Sequence, residues 1–279
     1  MFDEPVKAIA DAIPLAVVAS TPLLLAVQGE LAVQRSGIIN LGIEGMMLAA
    51  ALAAAFTAHA TASVTAGFLG GIAGAALVAL VFGVFVIVLK ADQIVTGTAI
   101  NLLAAGATAF IYRELQLTSA LPRLPFDPIV PLAWIVFPIA LALLLWNTSF
   151  GLRLRAAGEN PDAIASSVNA HRALALLIEA ILAGLAGAYL SLGLSSGFAE
   201  NMTSGRGFIA LSIVIFGRWK VKGALAGTAI FGLAAVTQYT LQASSGISYH
   251  LLLAVPYVLT LLILCGVAGR VRAPESLGR

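Results

Sequence analysis

Three apolar runs in this 279-residue chain are too long for an ordinary soluble fold: Ala62 to Leu89, Ile129 to Trp146 and Ala173 to Gly197. Among them they carry one charged residue, Glu179. About 20 apolar residues cross the hydrocarbon core as a helix, and a helix satisfies its own backbone groups there. Charged residues make up 10% of the chain and mean hydropathy is +1.01, against about 25% charge in a soluble domain. The expected fold is therefore all-α: a polytopic membrane helical bundle of about 8–10 transmembrane helices, one of them short or broken. It forms a single transmembrane domain over residues 1–279, with no room for a separate soluble domain. Cys265, alone of its kind, sits in an apolar run and can form no disulfide within the chain. Asp3, Glu4 and Lys7 precede the first run and no small-residue cleavage site follows it, so no cleavable leader is expected.

The longest polar segment interrupts these runs near the middle: GLRLRAAGENPDAIASSVNAHR, Gly151 to Arg172. A basic connection between two spans is expected in the cytoplasm. Pro161 fits the first turn of a short helix, with Asn160 as its cap and Asp162 near the positive end of its dipole. Such a helix is a handle that another protein can push.

Upstream, the first span is expected from about Ile9 to Gln28, with Glu30 and Arg35 marking a turn. The next, Ser36 to His59, opens with SGIINLGIEGMML. Asn40 and Glu44, four residues apart, would share one helical face, while Gly42 and Gly45 would let a neighbouring backbone approach. A carboxylate at bilayer depth either lines a cavity or is a structural acid tied to a backbone amide or an arginine. Gly67 with Gly71 and Gly70 with Gly74 form GxxxG pairs, read as packing. The following helix carries Gln93, Gly97 and Asn101 at i, i+4 and i+8, with Thr96 beside them. A polar stripe facing lipid is expensive, so it faces protein or water, and we favour a solute path over plain packing.

Past the polar segment, Glu179 is read as structural, snorkelling or pairing with Arg172 or His171. GLSSG, Gly193 to Gly197, matches a hydrolase nucleophile pattern in letters only, since it ends a membrane helix. Phe208 to Phe216 is too short to span unaided, and short glycine-flanked segments are where transporters place gates. The last spans are expected at Ala224 to Leu241 and Leu251 to Val267.

Four motifs resemble one family. RSGIINLGIEGMM, DQIVTGTAIN, LRAAGENPDA and GRGFIALSIVIFGRW are similar to segments of ABC importer permeases of the ribose, nucleoside and branched-chain amino-acid type, closest to the nucleoside and simple-sugar branch. The chain departs from the family pattern at Ser167, Val168 and Asn169, where a glycine usually precedes a hydrophobic-Asn pair. The resemblance implies a translocation path bordered by Asn40, Glu44, Gln93, Thr96, Gly97 and Asn101. It implies a coupling loop over 148–172 whose Arg155, Gly158, Glu159, Asn160, Pro161, Asp162 and Ala165 meet an ATPase. It also implies the partners: an ABC ATPase subunit, a second related permease making a heterodimer, and an extracytoplasmic substrate-binding lipoprotein. The chain has no phosphate-cradling GxxxxGK followed by Ser or Thr, so no cofactor is expected on it, and ATP and Mg belong to the partner. Nothing points to nucleic acid. With the polar segment inside, eleven Lys and Arg fall in the cytoplasm and four (Lys7, Arg113, Arg123, Arg206) outside. The expected setting is a bacterial plasma membrane, amino terminus outside and carboxyl terminus cytoplasmic. A self-sufficient secondary carrier and a membrane-embedded enzyme are the competing classes; a carrier would normally hold several midplane carboxylates or an internal repeat.

Overall fold

A computed structural model describes residues 3–115, 128–164, 168–195, 197–244, 258 and 272–278, with 3–12 and 237–244 described by backbone alone. Among them no strand occurs. The helices are α1 (Asp3–Arg35), α2 (Ile43–Thr61), α3 (Val64–Gly83), α4 (Gln93–Leu115), α5 (Ile129–Pro131), α6 (Phe137–Asn147), α7 (Ser149–Glu159), α8 (Val168–Tyr189), α9 (Arg206–Phe216) and α10 (Val221–Ser244). Wider π turns extend α3 over Val84–Val88, join α5 to α6 over Leu132–Val136, and extend α8 over Leu190–Leu194.

Six stretches among the described residues are long and apolar enough to cross a membrane: Ile13–Arg35, Ile43–Thr61, Val64–Val88, Gln93–Leu115, Ile129–Asn147 and Val168–Leu194. Arg206–Phe216 and Val221–Val236 are shorter apolar helices. The all-α polytopic bundle expected from the run lengths is the fold observed, and α9 is the expected short helix. The last expected span, apart from Val258, and Cys265 lie outside the described residues.

Two boundaries differ from expectation. Glu30 and Arg35 do not enclose a turn, because α1 continues through Glu30 and ends only at Arg35. Its polar side chains find partners inside the bundle, Gln34 Nε2 donating to Glu30 Oε1 one turn back at 2.7 Å. The second helix begins at Ile43 rather than Ser36, and residues 36–42 form a loop.

α1 is the hub. It packs against α8, α9 and α10, while α2 packs against α3, α4 and α8. The spanning part of α1 is 83% buried; those of α3 and α4 are 22% buried each. Those outer helices turn Leu77, Leu80, Leu102 and Phe110 outward, as a lipid-facing surface requires. The GxxxG glycines do pack: a Cβ on Gly71 would stand 2.9 Å from that of Ala188, and one on Gly74 2.8 Å from that of Ala53. α2, α3 and α8 thus meet at nearly backbone distance.

Candidate functional site

Loop 36–42 lies at the centre of the polar network. Gly37, at φ +94°, turns the chain out of α1, a conformation glycine adopts at little steric cost. Asn40 Oδ1 then accepts from the Gly42 amide at 2.9 Å, a local bond that competes with helix formation. Asn40 and Glu44 therefore do not share a helical face.

The stripe on α4 faces this loop. Gln93 Oε1 accepts from the Ile39 amide at 2.7 Å. Asn101 is used at both ends, Oδ1 accepting from the Gly45 amide at 2.8 Å and Nδ2 donating to the Leu41 carbonyl at 2.7 Å. Between them Gly97 leaves the space the loop occupies; a Cβ there would stand 2.7 Å from the Gly42 nitrogen. Thr96 is half-buried on the same helix. Of the six residues expected along the path, Asn40, Gln93, Gly97 and Asn101 meet at this loop, with Thr96 beside them.

Glu44 goes elsewhere. From the first turn of α2 its Oε1 accepts from the Gly205 amide at 2.7 Å and its Oε2 from the Gly207 amide at 2.6 Å. It thus caps α9, whose first N–H groups lack partners within the helix and whose dipole favours an anion there. Of the two readings left open for this residue, the structure has the acid tied to backbone amides.

Glu179 neither snorkels nor pairs with Arg172 or His171. It is fully buried on α8 and accepts from Asn40 Nδ2 at 2.7 Å. Arg172 donates instead to the Ser36 carbonyl at 3.3 Å. Beside Glu179 stands Glu30, a buried acid missed in the sequence; its spacing of four from Gln34 was the available signal.

The polar segment Gly151 to Arg172 contains a helix before Pro161. α7 is capped by Thr148, whose Oγ1 accepts from the Gly151 amide at 3.0 Å. It buries Gly151, Leu154, Ala157 and Gly158 and exposes Leu152 and Arg153. After it, Pro161–Ala163 make a single 3-10 turn. Asn160 takes the cap position but makes no side-chain cap bond. Asn160 and Asp162 are exposed; Ala165 lies outside the described residues.

α7 is seated on the end of α1. A Cβ on Gly158 would collide with the Arg35 carbonyl and stand 3.1 Å from the Gly37 nitrogen. Arg35 donates twice to the Trp219 carbonyl, at 2.9 and 2.6 Å, and its guanidinium lies 3.7 Å from the Glu159 carboxylate. Arg35 and Arg155 also lie over the Trp146 ring at 5.7 and 5.6 Å, within cation–π range. The Ser276 hydroxyl lies 2.9 and 2.7 Å from the Ala157 and Gly158 carbonyls, and its amide donates to Gly158 at 2.9 Å. The described carboxyl-terminal residues therefore lie at the same end of the molecule as α7.

At another face, Arg113 at the end of α4 makes a two-point bond to Glu200 at 2.8 and 2.9 Å, and Tyr112 packs on Phe198 with ring centroids 5.1 Å apart. That bond holds the Glu200 carboxyl below its ordinary range. No group of three or more His, Cys, Asp or Glu able to hold a metal occurs among the described residues.

A helical membrane bundle with an amide-pinned loop inside and an amphipathic helix seated beneath it has the build of a transporter's membrane subunit. The chain belongs to the family described as "Branched-chain amino acid transport system / permease component", which matches residues 12–264. It is similar to the guanosine ABC transporter permease protein NupQ of Bacillus subtilis, 31% identical over 95% of this chain and 94% of that one. It is also similar to the nucleoside ABC transporter permease protein NupC of Lactococcus lactis, 31% identical over 93% and 92%. A protein of Haloferax volcanii provisionally named as a glucose ABC transporter permease is 35% identical over 81% of this chain and 76% of its own length. No solved structure matches the chain.

Proposed function

We propose that this permease component carries a small uncharged polar solute, a nucleoside, in an ATP-driven importer whose ATP and Mg sit on a separate ABC ATPase subunit. The relatives named for guanosine and nucleosides support this substrate class, as do candidate path groups that are mainly amides and hydroxyls. The relative named for glucose makes a simple sugar the second reading.

The carrying observation is the seat of α7. Through Gly158, Gly37 and Arg35 it touches the point where α1 gives way to loop 36–42. ATP-driven closure of the ATPase would move α7 and the 3-10 turn, with Arg155, Gly158, Glu159, Asn160, Pro161, Asp162 and Ala165 as the coupling set. That displacement reaches loop 36–42. Gln93 and Asn101 would then exchange loop partners for solute, with Asn40, Thr96 and Gly97 bordering the path and Glu44 holding α9 against α2. A second, related permease would complete the path, and an extracytoplasmic lipoprotein would deliver solute to the face marked by Arg113 and Glu200. We place the protein in a bacterial plasma membrane, amino terminus outside and carboxyl terminus inside, as one transmembrane domain.

Reconstitution tests this directly. Labelled guanosine should accumulate in vesicles holding the chain with its ATPase, second permease and binding protein, and only with ATP. Accumulation by this chain alone, driven by an ion gradient, would overturn the reading. In the assembled transporter, Glu159→Arg sets a like charge beside Arg35 and Arg155, and should lower uptake roughly 5- to 150-fold while hydrolysis continues. Uptake at the wild-type rate would count against the coupling assignment.

A further inference from the structure

The crossing of α1 and α8 carries a site the transport reading does not use. The two helices approach so closely at Gly29 that a Cβ there would stand 3.1 Å from the Glu179 Cα. That approach sets Glu30 and Glu179, both fully buried, side by side.

Donors and acceptors can be counted atom by atom. The Trp219 indole N–H can only donate, and it meets Gln34 Oε1 at 2.6 Å. The Gln34 amide nitrogen therefore faces Glu30 and donates to its Oε1 at 2.7 Å. The Gly42 backbone N–H can only donate too, and it meets Asn40 Oδ1. The Asn40 amide nitrogen therefore faces Glu179 and donates to its Oε2 at 2.7 Å. The Asn40 backbone N–H also reaches toward the Glu30 carboxylate, yet one oxygen of each acid, Glu30 Oε2 and Glu179 Oε1, is buried and without a hydrogen bond from the described residues. Two bare carboxylate oxygens facing each other in an apolar interior repel and are both desolvated. One proton between them satisfies both, while a second would find no acceptor, because the amides on either side present only N–H.

Cations on the surrounding elements are engaged or placed elsewhere. Arg35 is bound to Trp219 and Glu159, Arg172 to Ser36, and Arg206 on α9 to Met202 and Thr203. Arg218, Lys220 and Lys222 are exposed. His171 stacks on Phe150 two turns from Glu179, and Glu44 on α2 is held by α9. Among the described residues neither Glu30 nor Glu179 makes an ion pair.

We propose that Glu30 and Glu179 form a proton-binding site, an acid–carboxylate pair holding one proton that ties α1 to α8 and, through Asn40, to loop 36–42. The test reads the folded chain and needs no transport. In the full-length protein in nanodiscs at neutral pH, infrared spectroscopy should show a protonated-carboxyl C=O stretch that shifts in D₂O. That band should vanish in E30Q and in E179Q alike. A single glutamine supplies the missing N–H in the proton's place, so each single variant should melt within about 2 °C of wild type. The double variant E30Q/E179Q sets two NH₂ groups face to face and should melt roughly 5 °C or more lower. Absence of the band in wild type, or a double variant as stable as the singles, overturns the proposal. So does a single variant that melts as low as Glu30→Leu.

Discussion

α8 and α3 are both long and apolar enough to cross a membrane, yet the spanning part of one is 67% buried and that of the other 22%. The difference lies in what each carries. α8 brings Glu179 to the bundle interior, bonded to Asn40 and facing Glu30. α3 carries no charge and is held by glycines against α2 and α8. Lipid tails are as apolar as leucine, so hydrophobicity does not decide which helix is central. Groups that must find polar partners decide it. The interior trio of α1, α2 and α8 is therefore the polar part of an apolar protein, and α3 and α4 are its wing.

Substitutions separate the two regions. Glu44→Leu leaves the half-buried Gly205 amide and the buried Gly207 amide without partners. At about 1–3 kcal/mol for each unsatisfied group, it should cause the largest loss of stability, read as a fall in detergent melting temperature. Gly97→Val pushes a side chain into loop 36–42 and should cost about 1–3 kcal/mol, with uptake falling alongside. Asn101→Leu removes one bond to the loop, at Leu41, and one to the first turn of α2, at Gly45, roughly 2 kcal/mol at about 1 kcal/mol each. Asn40→Leu also strips a donor from Glu179. Both asparagine variants should impair uptake while ATPase docking, read by co-purification, persists; normal uptake in both would sink the path assignment. On the wing, Leu77→Ala should change melting by less than about 0.5 kcal/mol, and a large change would mean that α3 is buried by a partner.

The smallest effect is expected at the Arg113–Glu200 bond, which is exposed. The folded-state value of Glu200 lies below the ordinary carboxylate value. Its contribution is therefore present above the unfolded value and lost as pH falls through the folded one. Acid should loosen the contact between the α4 end and residue 200, read by crosslinking of cysteines placed at 112 and 198, with Arg113 and Glu200 kept, against the same cysteine pair carrying Glu200→Gln.

Much of this was legible in the sequence, because run length alone marks a membrane helix. The i, i+4, i+8 amides on α4 announced a face that could not meet lipid, and Phe208 to Phe216 announced a helix too short to cross. Loop 36–42 was hidden because SGIINLGIEGMML is apolar enough to read as helix. What unwinds it is one side-chain bond, Asn40 to the Gly42 amide, and a docking surface on α4. Glu30 was hidden for a different reason. A lone acid before an arginine looks like the end of a span, and the groups that make it an interior residue, Glu179 and Trp219 (through Gln34), come from distant parts of the chain. The sequence puts the start of a short helix at Pro161 because proline and its neighbours signal a start, whereas α7 rests on Thr148 and on a buried face of only four residues.

Trp146 is contacted by a guanidinium of the hub helix and by one from α7. Any sliding of α7 against α1 must change the charge and polarity around that indole. The chain thus carries its own optical gauge: with Trp134 and Trp219 replaced by phenylalanine, the emission colour of the remaining tryptophan should follow each stroke in real time, without an attached dye.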